Sequence, residues 1–99
     1  MSGKYSVFIT PAAERSYRKL PQKVSGFMED ELPQTLQNNP HAGTPLAPPL
    51  QPLRSFHFSC DGQPYRAAYS IQEKEKKIII HFVGHRKDFY DRLARVLRR

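Results

Sequence analysis

The residues of this chain best suited to chemistry follow a strongly apolar strand. The run from Lys77 to Tyr90 meets Gly84 and then releases His85, Arg86, Lys87 and Tyr90 together. An arginine stays charged and grips two phosphate oxygens, an imidazole titrates near neutral pH, and a phenol positions an oxygen or stacks on a base. Metal-free RNA cleavage needs groups of this kind. A base activates the ribose 2′-hydroxyl, cations stabilise the charged phosphorane-like transition state, and an acid protonates the leaving 5′-oxygen. Simple RNA binding draws on the same groups, so residue types alone leave both readings open.

The charge balance favours a polyanionic partner. Among 99 residues, 16 Lys and Arg stand against 9 Asp and Glu, a formal charge of +7, which steers anions and releases counterions on binding. The imbalance is concentrated at the end, where Arg86, Lys87, Arg92, Arg95, Arg98 and Arg99 face only Asp88 and Asp91. A solvated helix face is the plain alternative for the terminal arginines.

Other chemistries fit poorly. No carboxylate pair is spaced for metal-dependent phosphodiester cleavage, no Gly-rich phosphate loop occurs, and His81 and His85 straddle a strand end instead of sharing a helix face. Neither a metal nor another cofactor is expected. The length suits one domain spanning residues 1–99, with one modest core. Cys60 is the only cysteine, so no intrachain disulfide forms and a reducing cytoplasm is the expected location. No signal-like run opens the chain and Ile78 to Ile80 is far too short to cross a bilayer, so a soluble chain without a membrane partner is expected.

These groups need elements to hold them. Tyr5, Val7 and Ile9 alternate within Lys4 to Ile9, predicting a short strand with one buried face. Thr10 then caps a helix opening at Pro11 and running to about Leu20, with Glu14 in its first turn. Pro21 opens a second helix, in which Val24, Phe27, Met28, Leu32 and Leu36 recur at helical spacing. Pro33 should kink or break it near Glu29 to Leu32. The Pro-rich stretch from Asn39 to Pro52 reads as an ordered connector, with His41 as a turn residue.

Three antiparallel strands follow: Arg54 to Cys60, Tyr65 to Ile71 after the turn at Asp61-Gly62, and Lys77 to Val83. A final helix buries Phe89, Leu93, Val96 and Leu97. The class is α+β: strand, helical hairpin, three-stranded meander, C-terminal helix. Strand side chains alternate between faces. With Phe56, Phe58, Tyr65, Tyr69 and Ile71 packed under the hairpin, His57, Ser59, Arg66 and Ser70 look out from a half-open second face. Parity is expected to bring the Gly84 to Tyr90 cluster to that face. Tyr65 and Tyr69 are most simply core, His81 a strand residue satisfied by a neighbour, and Phe89 competes with Tyr90 for burial.

The segments RKLPQKV, NPHAGTPL, PYRAAYSI and VGHRKDFY, in that order and spacing, resemble the RelE/ParE superfamily of bacterial toxins over nearly the whole chain. The resemblance implies a toxin held inactive by a cognate antitoxin in a hetero-oligomer and, in the RelE branch, one that cuts mRNA in the ribosomal A site. It implies that Arg66 holds the scissile phosphate, Arg86 stabilises it and assists the leaving group, and Tyr90 orients or stacks on the substrate. His85 is a candidate acid or base, and Lys87, Ser59 and Arg54 are candidate substrate-binding residues. The RelE prototype carries two lysines where His57 and Ser59 stand. Histidine can replace a lysine base, since its ordinary pKa needs less tuning, whereas serine cannot. The base is therefore His57 or His85. A ParE-like gyrase inhibitor and an RNA-binding member that does not cut are the alternatives.

Overall fold

The computed structural model describes residues 5–48, 50 and 52–98. Lys4 of the expected first strand, Pro49 and Gln51 of the connector and Arg99 of the basic run lie outside them. The first strand, β1, is Ser6–Ile9, with Val7 and Ile9 turned inward. Thr10 Oγ1 accepts a hydrogen bond from Ala13 N at 3.0 Å and starts helix α1, Pro11–Arg18. This cap satisfies one of the orphan donors of the first turn, and Pro11 has no N–H to leave unpaired. α1 buries Ala13 and Tyr17. The Tyr17 hydroxyl donates to Glu29 Oε2 at 3.1 Å, and burial with that carboxylate pushes the phenol up to about 12.

Helix α2, Gln22–Gly26, runs through a π-helical segment, Phe27–Glu31, into α3, Leu32–Asn38. The expected break at Pro33 is thus a widened turn. Leu32 N–H reaches back five residues to Phe27 O, which relieves the crowding a proline imposes on the preceding carbonyls. The helical rod therefore continues, burying Val24, Met28, Leu32 and Leu36 at intervals of four.

The sheet adds β2, Thr44–Pro45; β3, Arg54–Cys60; β4, Gln63–Gln72; and β5, Lys77–His85. Its order is β1-β5-β4-β3-β2, with β1 parallel to β5 and the other pairs antiparallel. The two-residue β2 lies inside the Pro-rich connector, so one expectation needs correcting: the sheet has five strands, not four. Asp61 and Gly62 both take positive φ, 50° and 77°, the geometry that a two-residue hairpin turn with the sheet's right-handed twist requires. Opposite Ala68 and Tyr69 the register slips by one residue and leaves His81 as a bulge. Its Nε2 lies 2.9 Å from Ser70 Oγ.

Phe56, Phe58, Tyr65, Ala67, Tyr69 and Ile71 face the helical rod and α1, as alternation predicts. The other face is less open than expected. A second cluster covers part of it, where Phe89 and Leu93 of helix α4, Phe89–Leu97, meet Phe82, Ala68, Leu46 of the connector and Leu53 just after it. The small Ala68 leaves room for that layer. What stays open is the end of the face that carries His57 and Arg66. Among the described residues no helix is long and apolar enough to cross a membrane.

Candidate functional site

Strand register assembles the site. His57 stands opposite Arg66 across the β3-β4 ladder, and Arg66 stands opposite Gly84 across β4-β5. A Cβ on Gly84 would lie 2.8 Å from the Phe82 ring. The missing side chain leaves room for that ring, which meets Phe89 at 5.9 Å. Phe89 is fully buried, so it fixes the first turn of α4 and turns its neighbour Tyr90 outward, 44% exposed. Arg66 Nη1 donates to the Tyr90 hydroxyl at 2.5 Å, and the guanidinium carbon sits 5.3 Å from the ring centroid. Arg66, Tyr90 and His57 line one cleft of about 420 Å3, walled on the far side by Thr44, Pro45 and Leu46.

The electrostatics suit a base at His57. Desolvation against the sheet holds its pKa below the usual 6.5, and the Arg66 charge opposite adds to the shift. The imidazole is then neutral at pH 7 and able to accept a proton. His81 is lowered by burial as well. For both histidines the unfolded chain binds the proton more readily than the folded one. The contribution of these two histidines is therefore full above pH 6.5 and declines as pH falls from there toward the folded-state values. We expect urea midpoints to drop over that window and the drop to shrink in His81→Gln; an unchanged pH profile in that variant would exclude the His81 contribution.

The remaining candidates divide. Arg86 and Lys87 lie exposed in the 3-10 turn Arg86–Asp88, directly after β5. Among the described residues no ion pair ties either to a carboxylate. His85 does not join the cluster. It pairs with Tyr65, an inner-face residue, and packs edge-on against that ring at 5.5 Å. Parity thus carries it away from Arg66, one residue past the Gly84 position that faces the cleft side. Its Nδ1 accepts from Lys87 N and its Nε2 lies 3.1 Å from Gln63 Oε1. That network assigns the proton to Nε2 and makes His85 the cap of the turn that presents Arg86.

Ser59 is exposed beyond His57 and borders a different depression, with Lys23, Phe27 and Cys60. Arg54 shares the face of Phe56 and Phe58 and donates to Gly43 O at 3.1 and 2.8 Å and to His41 O at 3.2 Å. Its guanidinium is therefore occupied by the connector. The cleft wall at Pro45 and Leu46 lies in a segment expected only to connect. Its signal is the recurrence of Leu46 and Leu50, with Leu53 just after them, in a stretch that otherwise has no reason to be apolar.

A basic five-stranded sheet with helices on both faces and an arginine-tyrosine pair on its open end defines a small α+β protein equipped to meet phosphate. The chain belongs to the ParE-like toxins of type II bacterial toxin-antitoxin systems, whose family model matches residues 7–94. It is 31% identical over 87 residues to Toxin RelE of Mycobacterium tuberculosis, covering 87% of this chain and 86% of that one. Its structure is similar to that of the toxin-antitoxin complex RelBE2 of M. tuberculosis, with TM-score 0.72, 28% identity and coverage of 89% and 98% of the two chains. An arginine-to-alanine double mutant of E. coli RelE in the free state shares the fold, with TM-score 0.70, 15% identity and coverage of 93% and 96%.

Proposed function

We propose that this toxin is a metal-independent endoribonuclease that cuts mRNA in the ribosomal A site and is held inactive by a cognate antitoxin bound as a hetero-oligomer. The observation that carries the reading is the hydrogen-bonded Arg66-Tyr90 pair, with His57 beside Arg66 on the same side of one cleft. Neutral His57 takes the proton of the 2′-hydroxyl, whose oxygen attacks phosphorus while the bond to the 5′-oxygen breaks. Arg66 holds the non-bridging oxygens, Arg86 stabilises the same charge, and the departing 5′-oxygen takes its proton from solvent water, leaving a 2′,3′-cyclic phosphate. Tyr90 accepts from Arg66 and keeps its own O–H free for the substrate. The similarity to Toxin RelE and to the toxin of the RelBE2 complex supports both the activity and the antitoxin partner.

The family description is ParE-like, which favours a second reading, gyrase inhibition by binding. Induction of the chain in bacteria separates the two. The nuclease stops protein synthesis first and leaves codon-positioned ends in primer extension of translated mRNA. Arrest of DNA replication ahead of translation, with intact mRNA, would replace the nuclease reading by the gyrase one.

A further inference from the structure

We propose that His85 is a positioning residue: its imidazole caps the turn that carries Arg86, aims that guanidinium at the phosphate, and exchanges no proton with the substrate. This assignment rests on the nuclease reading and gives one of its candidate acid or base groups a different task. Arg86 has no carboxylate partner among the described residues, so the backbone of the turn has to set where its side chain starts. That backbone is closed at both ends. Phe89 N–H returns to Arg86 O, and Lys87 N–H donates to His85 Nδ1 at 3.1 Å. The Lys87 N–H is one of the donors that a helical turn leaves without a backbone partner. His85 supplies the acceptor from an extended backbone, φ −66° and ψ 143°, the conformation of an N-cap.

The ring is held to this task on its other sides. It packs edge-on against the buried Tyr65 ring at 5.5 Å, and Nε2 lies 3.1 Å from Gln63 Oε1. An amide oxygen only accepts, so Nε2 carries the proton and Nδ1 keeps its lone pair for Lys87. Both nitrogens are thereby committed. A general base needs a free lone pair and a general acid needs a free N–H. A second proton, on Nδ1, would set two N–H donors against each other and open the turn. The chemistry also has a conservative replacement. Asn Oδ1 stands three bonds from Cα, as Nδ1 of histidine does, so asparagine can keep the cap but cannot shuttle a proton. Phenylalanine keeps a ring against Tyr65 and has no acceptor.

These two substitutions, made in the full chain, test the assignment. Single-turnover cleavage of mRNA should fall roughly tenfold in His85→Phe, within the range that loss of an N-cap allows, and stay within about twofold of wild type in His85→Asn. Solvent exchange of the Lys87 amide should speed up in His85→Phe and stay slow in His85→Asn. The third measurement is a double-mutant cycle with Arg86→Ala, read as affinity for a single-stranded RNA with a 2′-deoxyribose at the cleavage position. His85→Phe should weaken binding when Arg86 is present and change little when it is absent. A His85→Asn protein as inactive as His85→Phe would return His85 to acid-base chemistry. Unchanged cleavage in His85→Phe, or a loss that persists beside Arg86→Ala, would overturn the positioning role. Should wild type fail to cut mRNA, the nuclease reading falls by itself, while amide exchange and the binding cycle still decide whether His85 caps and aims Arg86.

Discussion

Arg66→Ala should abolish growth arrest and lower mRNA cleavage by roughly a hundredfold or more, the loss expected when a group stabilising transition-state charge is removed. The fold should survive, because Arg66 is only partly buried and its side chain bonds to the exposed Tyr90 instead of the core. Arg66→Lys should recover a minor part of the rate. An ammonium restores the charge but cannot present two parallel donors to a phosphate or hold the Tyr90 hydroxyl in the same fork. Because Arg66 and Tyr90 are joined by a hydrogen bond, adding Tyr90→Phe to Arg66→Ala should cost much less than it does alone. Single-turnover cleavage by the four proteins checks this. Full cleavage by Arg66→Ala would remove the cleft from the mechanism, and strictly multiplicative losses would remove the pairing.

The pairing of Arg66 with His57 was legible because a strand has a period of two, and the aromatic positions Phe56, Phe58, Tyr65 and Tyr69 leave only one parity available. His85 falls on the other parity: β5 extends through His85, so alternation turns that ring toward Tyr65 and out of the cluster that the Gly84 to Tyr90 run suggests, while the turn after it carries Arg86. The bulge at His81 was equally invisible, since nothing in IIIHFV marks an extra residue until the register with β4 is known. Arg54 illustrates a different limit. A cation beside a candidate site reads as a substrate ligand, and only the path of the connector shows that the carbonyls of His41 and Gly43 already occupy it. Pro33 was correctly a disturbance, but local rules do not distinguish a broken helix from one that widens by a residue and continues.

Two adjacent residues should separate stability from activity most sharply. Phe89→Ala removes a fully buried ring that meets Phe82 at 5.9 Å and packs with Leu46, Leu53 and Leu93. Truncations of this kind cost about 3–5 kcal/mol through lost burial and the cavity left behind. That is a large share of the roughly 5–15 kcal/mol that holds a domain folded, and for a chain of this size it should lower Tm by about 15–30 °C. Phe89→Leu refills most of the space and should recover the greater part. Tyr90→Ala removes a 44% exposed ring from the same turn and should change stability by roughly 1 kcal/mol or less. Its effect should fall on cleavage, through loss of the hydroxyl bonded to Arg66 and of the ring beside the cleft. Thermal denaturation and single-turnover cleavage, run on both variants, read the two quantities apart. Equal destabilisation by the two substitutions would mean that Tyr90 holds α4 to the sheet as Phe89 does. A stable but inactive Phe89→Ala would instead mean that burial of Phe89 positions the Tyr90 turn without anchoring the fold.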